Sequence, residues 1–152
     1  MSSRLTAPRE EVWARIITPE GVNGELMPIV RMTLPRGMTS LDPESVPLGE
    51  RIGRCRILLF GVIPIDWDDL TLLRVERPVG FLERSSMLSI RVWEHERTLE
   101  PTPEGGCIVT DRVRFEPRLP LPARWLLPLY RTVFAHRHRR LRRHFRDSGH
   151  RA

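Results

Sequence analysis

Four ionisable residues, Glu83, His95, Asp111 and Arg137, lie in stretches otherwise patterned for burial. In "RVWEHERTL", residues 91–99, strict alternation puts Arg91, Trp93, His95, Arg97 and Leu99 on one face and Val92, Glu94, Glu96 and Thr98 on the other. Trp93 and Leu99 mark the first face as the inner one. In "IVTDRVRF", Val109, Asp111, Val113 and Phe115 share a face, and in "FLERS" Phe81, Glu83 and Ser85 do the same. Polar groups in an apolar setting are what a pocket with a few orienting groups requires. Imidazole titrates near neutrality, so His95 is a candidate general acid or base. The other reading makes it a buried histidine bonded to Asp111 or Glu83, since no nucleophile or second base is evident. Likewise Glu83, Asp111 and Arg137 either orient a polar ligand head or close an ion network that ties the chain together.

The most conspicuous stretch, "FAHRHRRLRRHF" at residues 134–145, holds five arginines and three histidines. All 25 basic residues of the chain are arginine, which we read as the coding bias of a GC-rich genome. Residues 131–152 carry a net charge of +7 and residues 1–130 a net of −1, so the whole +6 excess lies in one terminal element. At helical spacing Leu126, Tyr130, Val133, Phe134, Leu141 and Phe145 form one stripe, and most arginines fall off it. The basic run therefore reads as the solvated face of an amphipathic helix. No aromatics interleave with the outward arginines to stack bases, so nucleic acid is not the expected partner. Weak contact with an acidic membrane surface stays open. Arg137 is the exception: it sits on the buried stripe, where an unpaired charge is costly, so it predicts an acidic partner on the sheet beneath.

Other chemistry is excluded. "DWDD", Asp66–Asp69, matches the D-x-D-D pattern of terpene cyclases, but those need large helical domains; here the acids are expected at a strand start, facing water. His136 and His138 point about 200° apart on a helix and cannot share an ion. Cys55 and Cys107 form no metal-ligand spacing, so no metal and no cofactor is expected. Trp13, Trp67 and Trp125 are expected in the core or at its rim. No run approaches the roughly 18 apolar residues of a membrane span, no secretory signal is visible, and a cytoplasmic protein with reduced thiols is expected.

These residues must be positioned by a definite series of elements. Residues 4–6 read as extended. A helix follows Pro8, with Val12, Trp13, Ile16 and Ile17 as its stripe, and a second short helix begins at Pro19. "IVRMTLP" reads as a strand and residues 35–50 as a loop. Strands follow at 51–60, from Ile65 to Glu76, and as a hairpin over 81–87 and 89–100, with "GVIP" at 61–64 as punctuation. A turn at 101–106 leads to a strand at 107–117. Beyond "RLPLP" the period changes to about 3.6, giving one long helix over 123–146, started or kinked at Pro128. Strands flanked by helices argue α+β.

The order of these elements, with "APREEVWARIITPEG", Phe81-x-Glu83, Trp93-x-His95, Asp111-x-Val113-x-Phe115 and "FAHRHRRLRRHF", resembles the START-like (SRPBCC) superfamily, which includes Bet v 1-like and polyketide cyclase/dehydrase-like proteins. Phe134 and Arg137 match the aromatic-then-arginine pattern of its terminal helix. The resemblance implies a helix-grip fold: a curved antiparallel sheet of about seven strands wrapped around a long C-terminal helix, with two short helices after the first strand. It also implies a cavity between sheet and helix for a hydrophobic or amphipathic small molecule. The chain departs from the usual pattern over residues 35–65, which are longer and contain "LLFGVIPIDW".

The expectation is one domain, 1–147, with a short disordered tail at 148–152. Its ligand-binding set is Phe81, Glu83, Trp93, His95, Asp111, Val113, Phe115, Tyr130, Phe134 and Arg137. The alternatives are a cyclase- or dehydratase-like enzyme using His95 as acid–base group, and an interaction module using the arginine face on nucleic acid or acidic lipid. Ligand identity and oligomeric state are not legible.

Overall fold

The computed structural model of the chain describes residues 1–35, 38, 46–118 and 122–148. The order is β1 (Ser2–Leu5), α1 (Arg9–Ile16), α2 (Pro19–Leu26), β2 (Val30–Met32), β3 (Arg51–Leu59), β4 (Ile63–Glu76), β5 (Gly80–Met87), β6 (Ile90–Pro101), β7 (Cys107–Pro117) and α3 (Ala123–Ser148). The seven strands form one antiparallel sheet in the order β1-β7-β6-β5-β4-β3-β2. It is curled around α3, with α1 and α2 following the first strand: the helix-grip α+β architecture. Most of the loop expected at 35–50, most of "RLPLP" and the tail beyond Ser148 lie outside the described residues; Ser148 itself closes α3.

Local chemistry explains the helices that matter. Pro8 precedes α1, Glu10 and Glu11 occupy its positive end and Arg15 its negative end, while Val12, Trp13 and Ile16 are buried. At the start of α2 the Thr18 hydroxyl accepts from the Gly21 amide at 3.1 Å, with Pro19 in the first turn. α3 buries Phe134, Leu141 and Phe145, each worth roughly 1.5–3 kcal/mol of hydrophobic stabilisation. Pro128 lies within α3 rather than at its start. At the β5 start a side chain on Gly80 would place its Cβ 2.1 Å from the Arg97 carbonyl oxygen, so glycine lets β5 close tightly on β6.

The alternation expected along β6 holds. Trp93, His95, Arg97 and Leu99 are all buried, and Arg91 is exposed. Three expectations fail here. Trp125, expected in the core or at its rim, is 64% exposed in the first turn of α3. "GVIP" is not all punctuation, because β4 already begins at Ile63. Nor do the "DWDD" acids all face water: Asp68 shares its inward parity with Leu70 and Leu72 and is buried with them. Among the described residues no helix is long and apolar enough to cross a membrane.

The candidate functional site

The apolar core is interrupted by a polar belt. Along β6 Trp93 belongs to one apolar cluster, with Met87, Ile90 and Phe134, and Leu99 to another, with Trp13, Ile16, Val109, Leu141 and Phe145. His95 and Arg97 lie between them. α3 repeats the pattern: Phe134 and Leu141 are apolar, and Arg137 and His138 lie between. The two polar pairs meet at Asp111, which His95 and Arg97 reach from β6 and His138 from α3.

Arg97, 1% exposed, is its centre. Its Nε and Nη2 each donate to Asp111 at 2.7 Å, and its Nη1 and Nη2 each donate to Glu25 at 2.9 Å. It thus bridges two carboxylates, each held bidentately. Asp111 also takes His95 Nε2 at 2.8 Å and lies 2.9 Å from His138 Nε2. On its other ring nitrogen His138 shares a 2.8 Å hydrogen bond with Ser3 of β1. His95 Nδ1 lies 3.7 Å from Glu83, which accepts from the Ser85 hydroxyl at 2.8 Å. Arg137 Nε donates to Glu25 at 3.1 Å.

The acid predicted for Arg137 therefore exists, but it comes from α2 and not from the sheet. The sheet acid, Asp111, is already enclosed by Arg97, His95 and His138. α2 packs on α3, and the long arginine stem reaches Glu25 there.

Electrostatics follows from this geometry. Burial pushes the Asp111 carboxyl up, but the charge and hydrogen bonds of Arg97, then the bonds from His138 and His95, hold it well below the usual carboxylate range. Glu25 behaves alike: burial raises it, and Arg97 and Arg137 bring it below its ordinary value. Burial pulls His95 down, yet the hydrogen bond and charge of Asp111, helped by Glu83, leave it above its ordinary value despite Arg137. Asp68 is raised well above the carboxylate range, first by burial and then by the charge and hydrogen bond of Glu83.

Beside the belt lies a cavity of about 80 Å³. Its walls include Trp13, Ile16, Leu26, Leu70, Leu72, Val75 and Phe81, and its polar end is Glu83, His95, Arg97 and Arg137. A water needs roughly 10–15 Å³ by this measure, so there is room for several waters or one small organic molecule. Arg97 gives four of its five N–H donors to its two carboxylates. Arg137 donates Nε to Glu25 and lays its guanidinium over the Phe134 ring at 5.1 Å, and its terminal nitrogens have no hydrogen bond among the described residues.

The ten residues expected at the site divide into three groups. Phe81, Glu83, His95 and Arg137 line the cavity. Trp93, Val113, Phe115, Tyr130 and Phe134 pack with one another in the neighbouring cluster, with ring centroids of Phe115 and Tyr130 4.7 Å apart and of Trp93 and Tyr130 5.1 Å apart. The two groups meet at His95, whose ring stands edge-on between Phe81 and Phe134 at 5.3 and 5.2 Å. Asp111 lies behind His95 and Arg97, away from the cavity.

Sequence reasoning assigned no role to Glu25, Arg97, His138 or Ser85. Arg97 was on the inner face by parity, and His138 falls four residues after Phe134 and three before Leu141, on the apolar stripe. Those spacings were sufficient signals for both. Glu25 lies in an eight-residue helix whose short pattern carries no such signal.

Solved structures share this architecture. A START superfamily protein from Mycobacterium smegmatis superposes with a TM-score of 0.68 at 9% identity, over 97% of this chain and 95% of that one. Ara h 8.0201 gives 0.65 at 10% identity, over 97% and 95%. DynU16, encoded in the dynemicin biosynthetic locus, gives 0.57 at 18% identity; the match covers 94% of this chain but only 45% of DynU16. No curated protein matches the sequence. The fold is thus START-like. A family profile described as a domain of unknown function, DUF8410, matches residues 3–145, and the chain belongs to that family.

Proposed function

We propose that the protein binds a small hydrophobic or amphipathic molecule in the cavity between α1, α2, the sheet and α3. One observation carries this reading: an apolar-walled cavity ends on Arg137, a guanidinium whose terminal nitrogens are not bonded within the described chain. A ligand oxygen placed there would accept from Arg137 while its apolar part lies against Leu72, Val75 and Phe81. Glu83 and His95 would fix its orientation. The volume favours a compact ligand, since drug-sized pockets span roughly 300–1,000 Å³. The His95 ring nitrogens face Asp111 at 2.8 Å and Glu83 at 3.7 Å, which favours a holding role for the imidazole over acid–base chemistry on a substrate.

The test is native mass spectrometry of the gently purified protein, followed by denaturation and identification of what is released. A stoichiometric apolar or amphipathic adduct is expected, and Leu72→Trp, which fills the cavity, removes it. An empty wild-type protein whose melting temperature is unmoved by hexanol, indole and octanoate overturns the reading.

A further inference from the structure

The hairpin joining β3 and β4 carries "FGVIPI", Phe60–Ile65, at its end. Phe60 has φ 52° and Gly61 φ 78°, both left-handed. Glycine adopts this region freely, whereas a bulky aromatic there is an outlier. The turn is fixed by amide bonds from Phe60 to Ile29, from Gly61 to Leu58 and from Val62 to Leu59, at 2.9, 3.3 and 3.2 Å. It presents its side chains to solvent: Phe60, Val62, Ile63 and Ile65 are 62, 74, 52 and 49% exposed. Pro64, of opposite parity to Ile63 and Ile65, is exposed too. Both parities of the hairpin end are therefore exposed, while the turn itself rests on Met27 and Ile29. Scattered exposed apolar residues are ordinary, but a contiguous run of this kind marks an interaction surface.

The charges around the tip select its partner. Arg31 is opposite Leu58 in the β2–β3 ladder, and its stem lies against Gly61. Arg56 lies two residues before Leu58 on β3. Both are exposed and neither forms an ion pair among the described residues. The next acid along β4, Asp66, is engaged by the Trp67, Leu88 and Ser89 amides and the Ser89 hydroxyl. The first turns of α3 share this end, because Leu126 and Tyr130 pack on the same buried cluster as Ile57 of β3. There Trp125 and Leu129 are exposed.

We propose that this end of the molecule docks on an anionic lipid surface, with Phe60, Val62 and Ile63 entering the headgroup–acyl boundary and Arg31 and Arg56 pairing with lipid phosphates. Apolar insertion and basic attraction are individually weak and act together at such a boundary, where an exposed tryptophan is also at home. A second copy of the chain fits less well, since a two-fold contact through the tip would bring the unpaired arginines of both copies together. A nucleic acid would leave the aliphatic tip without a partner.

Flotation of the full chain with lipid vesicles tests this. Binding is expected to phosphatidylcholine vesicles containing phosphatidylglycerol and not to phosphatidylcholine alone. The double variant Phe60→Asn/Val62→Ser should lose at least about tenfold in apparent affinity with its melting temperature retained. Arg31→Ser/Arg56→Ser should weaken binding and flatten its salt dependence. Arg139→Ser/Arg146→Ser removes charge about 20 Å or more further along α3 and should leave binding unchanged. No binding by the wild-type protein, undiminished binding by the tip variant, or loss only in the Arg139/Arg146 variant overturns the proposal. So does a wild-type dimer that the tip variant converts to a monomer without vesicle binding; that outcome assigns the tip to a second copy.

Discussion

Arg97, on β6, has its full charge buried between two carboxylates, while Val62, at the end of the β3–β4 hairpin, has most of its apolar surface in water. Each residue is where its chemistry is least expected, and each region compensates differently. The interior arginine is satisfied by four charge-assisted hydrogen bonds to Glu25 and Asp111. The hairpin tip has no such compensation among the described residues. The difference separates a region that the fold cannot do without from one whose residues answer to something outside it.

The largest effect is expected at Arg97. Truncating one member of a buried ionic cluster strands the others, at a cost of about 3–5 kcal/mol. Arg97→Met leaves Glu25 with Arg137 alone and Asp111 with two histidines, so urea unfolding should show a loss of that size. Arg137→Met should cost less, about 1–2 kcal/mol, because Arg137 is partly exposed and makes one hydrogen bond to one carboxylate. Equal losses for the two variants would show that the belt has no centre.

What the sequence revealed of this belt depended on periodicity. Along β6 and β7 the two-residue repeat placed Trp93, His95, Arg97 and Asp111 inside, and along α3 the 3.6-residue repeat placed Phe134, Leu141 and Phe145 there, as found. Arg137 was legible as a charge needing an acid, but not which acid. The pairing of α2 with α3 is a tertiary fact, and Glu25 sits in a helix of two turns with no repeat to mark its face. Asp68 was obscured by its neighbours: three acids around a tryptophan look solvated, although its parity with Leu70 and Leu72 points inward. The tip failed for another reason. Gly61 and Pro64 resemble punctuation in any sequence, and nothing local shows that β4 begins at Ile63 with its apolar side chains exposed.

A smaller effect comes from proton linkage within the belt. The folded-state pKa of His95 is raised, by Asp111 and Glu83 acting against burial. Its contribution to stability is therefore complete below the ordinary histidine value near 6.5 and is lost as pH rises through the raised folded value. Asp111 has the opposite sign: its pKa is depressed, so its contribution is present above the ordinary aspartate value near 3.9 and is lost as pH falls through the depressed one. Between these limits both contributions are present, so unfolding free energy measured against pH should be highest under mildly acidic conditions. His95→Asn should flatten the alkaline limb and leave the acid limb in place. An unchanged alkaline limb would remove His95 from the linkage.

The smallest effect is expected at the tip, and it should have the opposite sign. Phe60 holds a left-handed backbone conformation with its ring mostly in water, so the fold gains little from the ring and bears the strain. Asparagine tolerates that conformation better than a bulky aromatic, so Phe60→Asn alone should leave stability unchanged or raise it by about 0.5–1 kcal/mol. Thermal unfolding without lipid measures this. A loss above about 1 kcal/mol would mean that the ring packs against the body of the protein and that the tip belongs to the core. A neutral or stabilising result, beside the large loss at Arg97, would leave the exposed ring without a folding role. Its exposure would then have to be explained by what it touches beyond the chain.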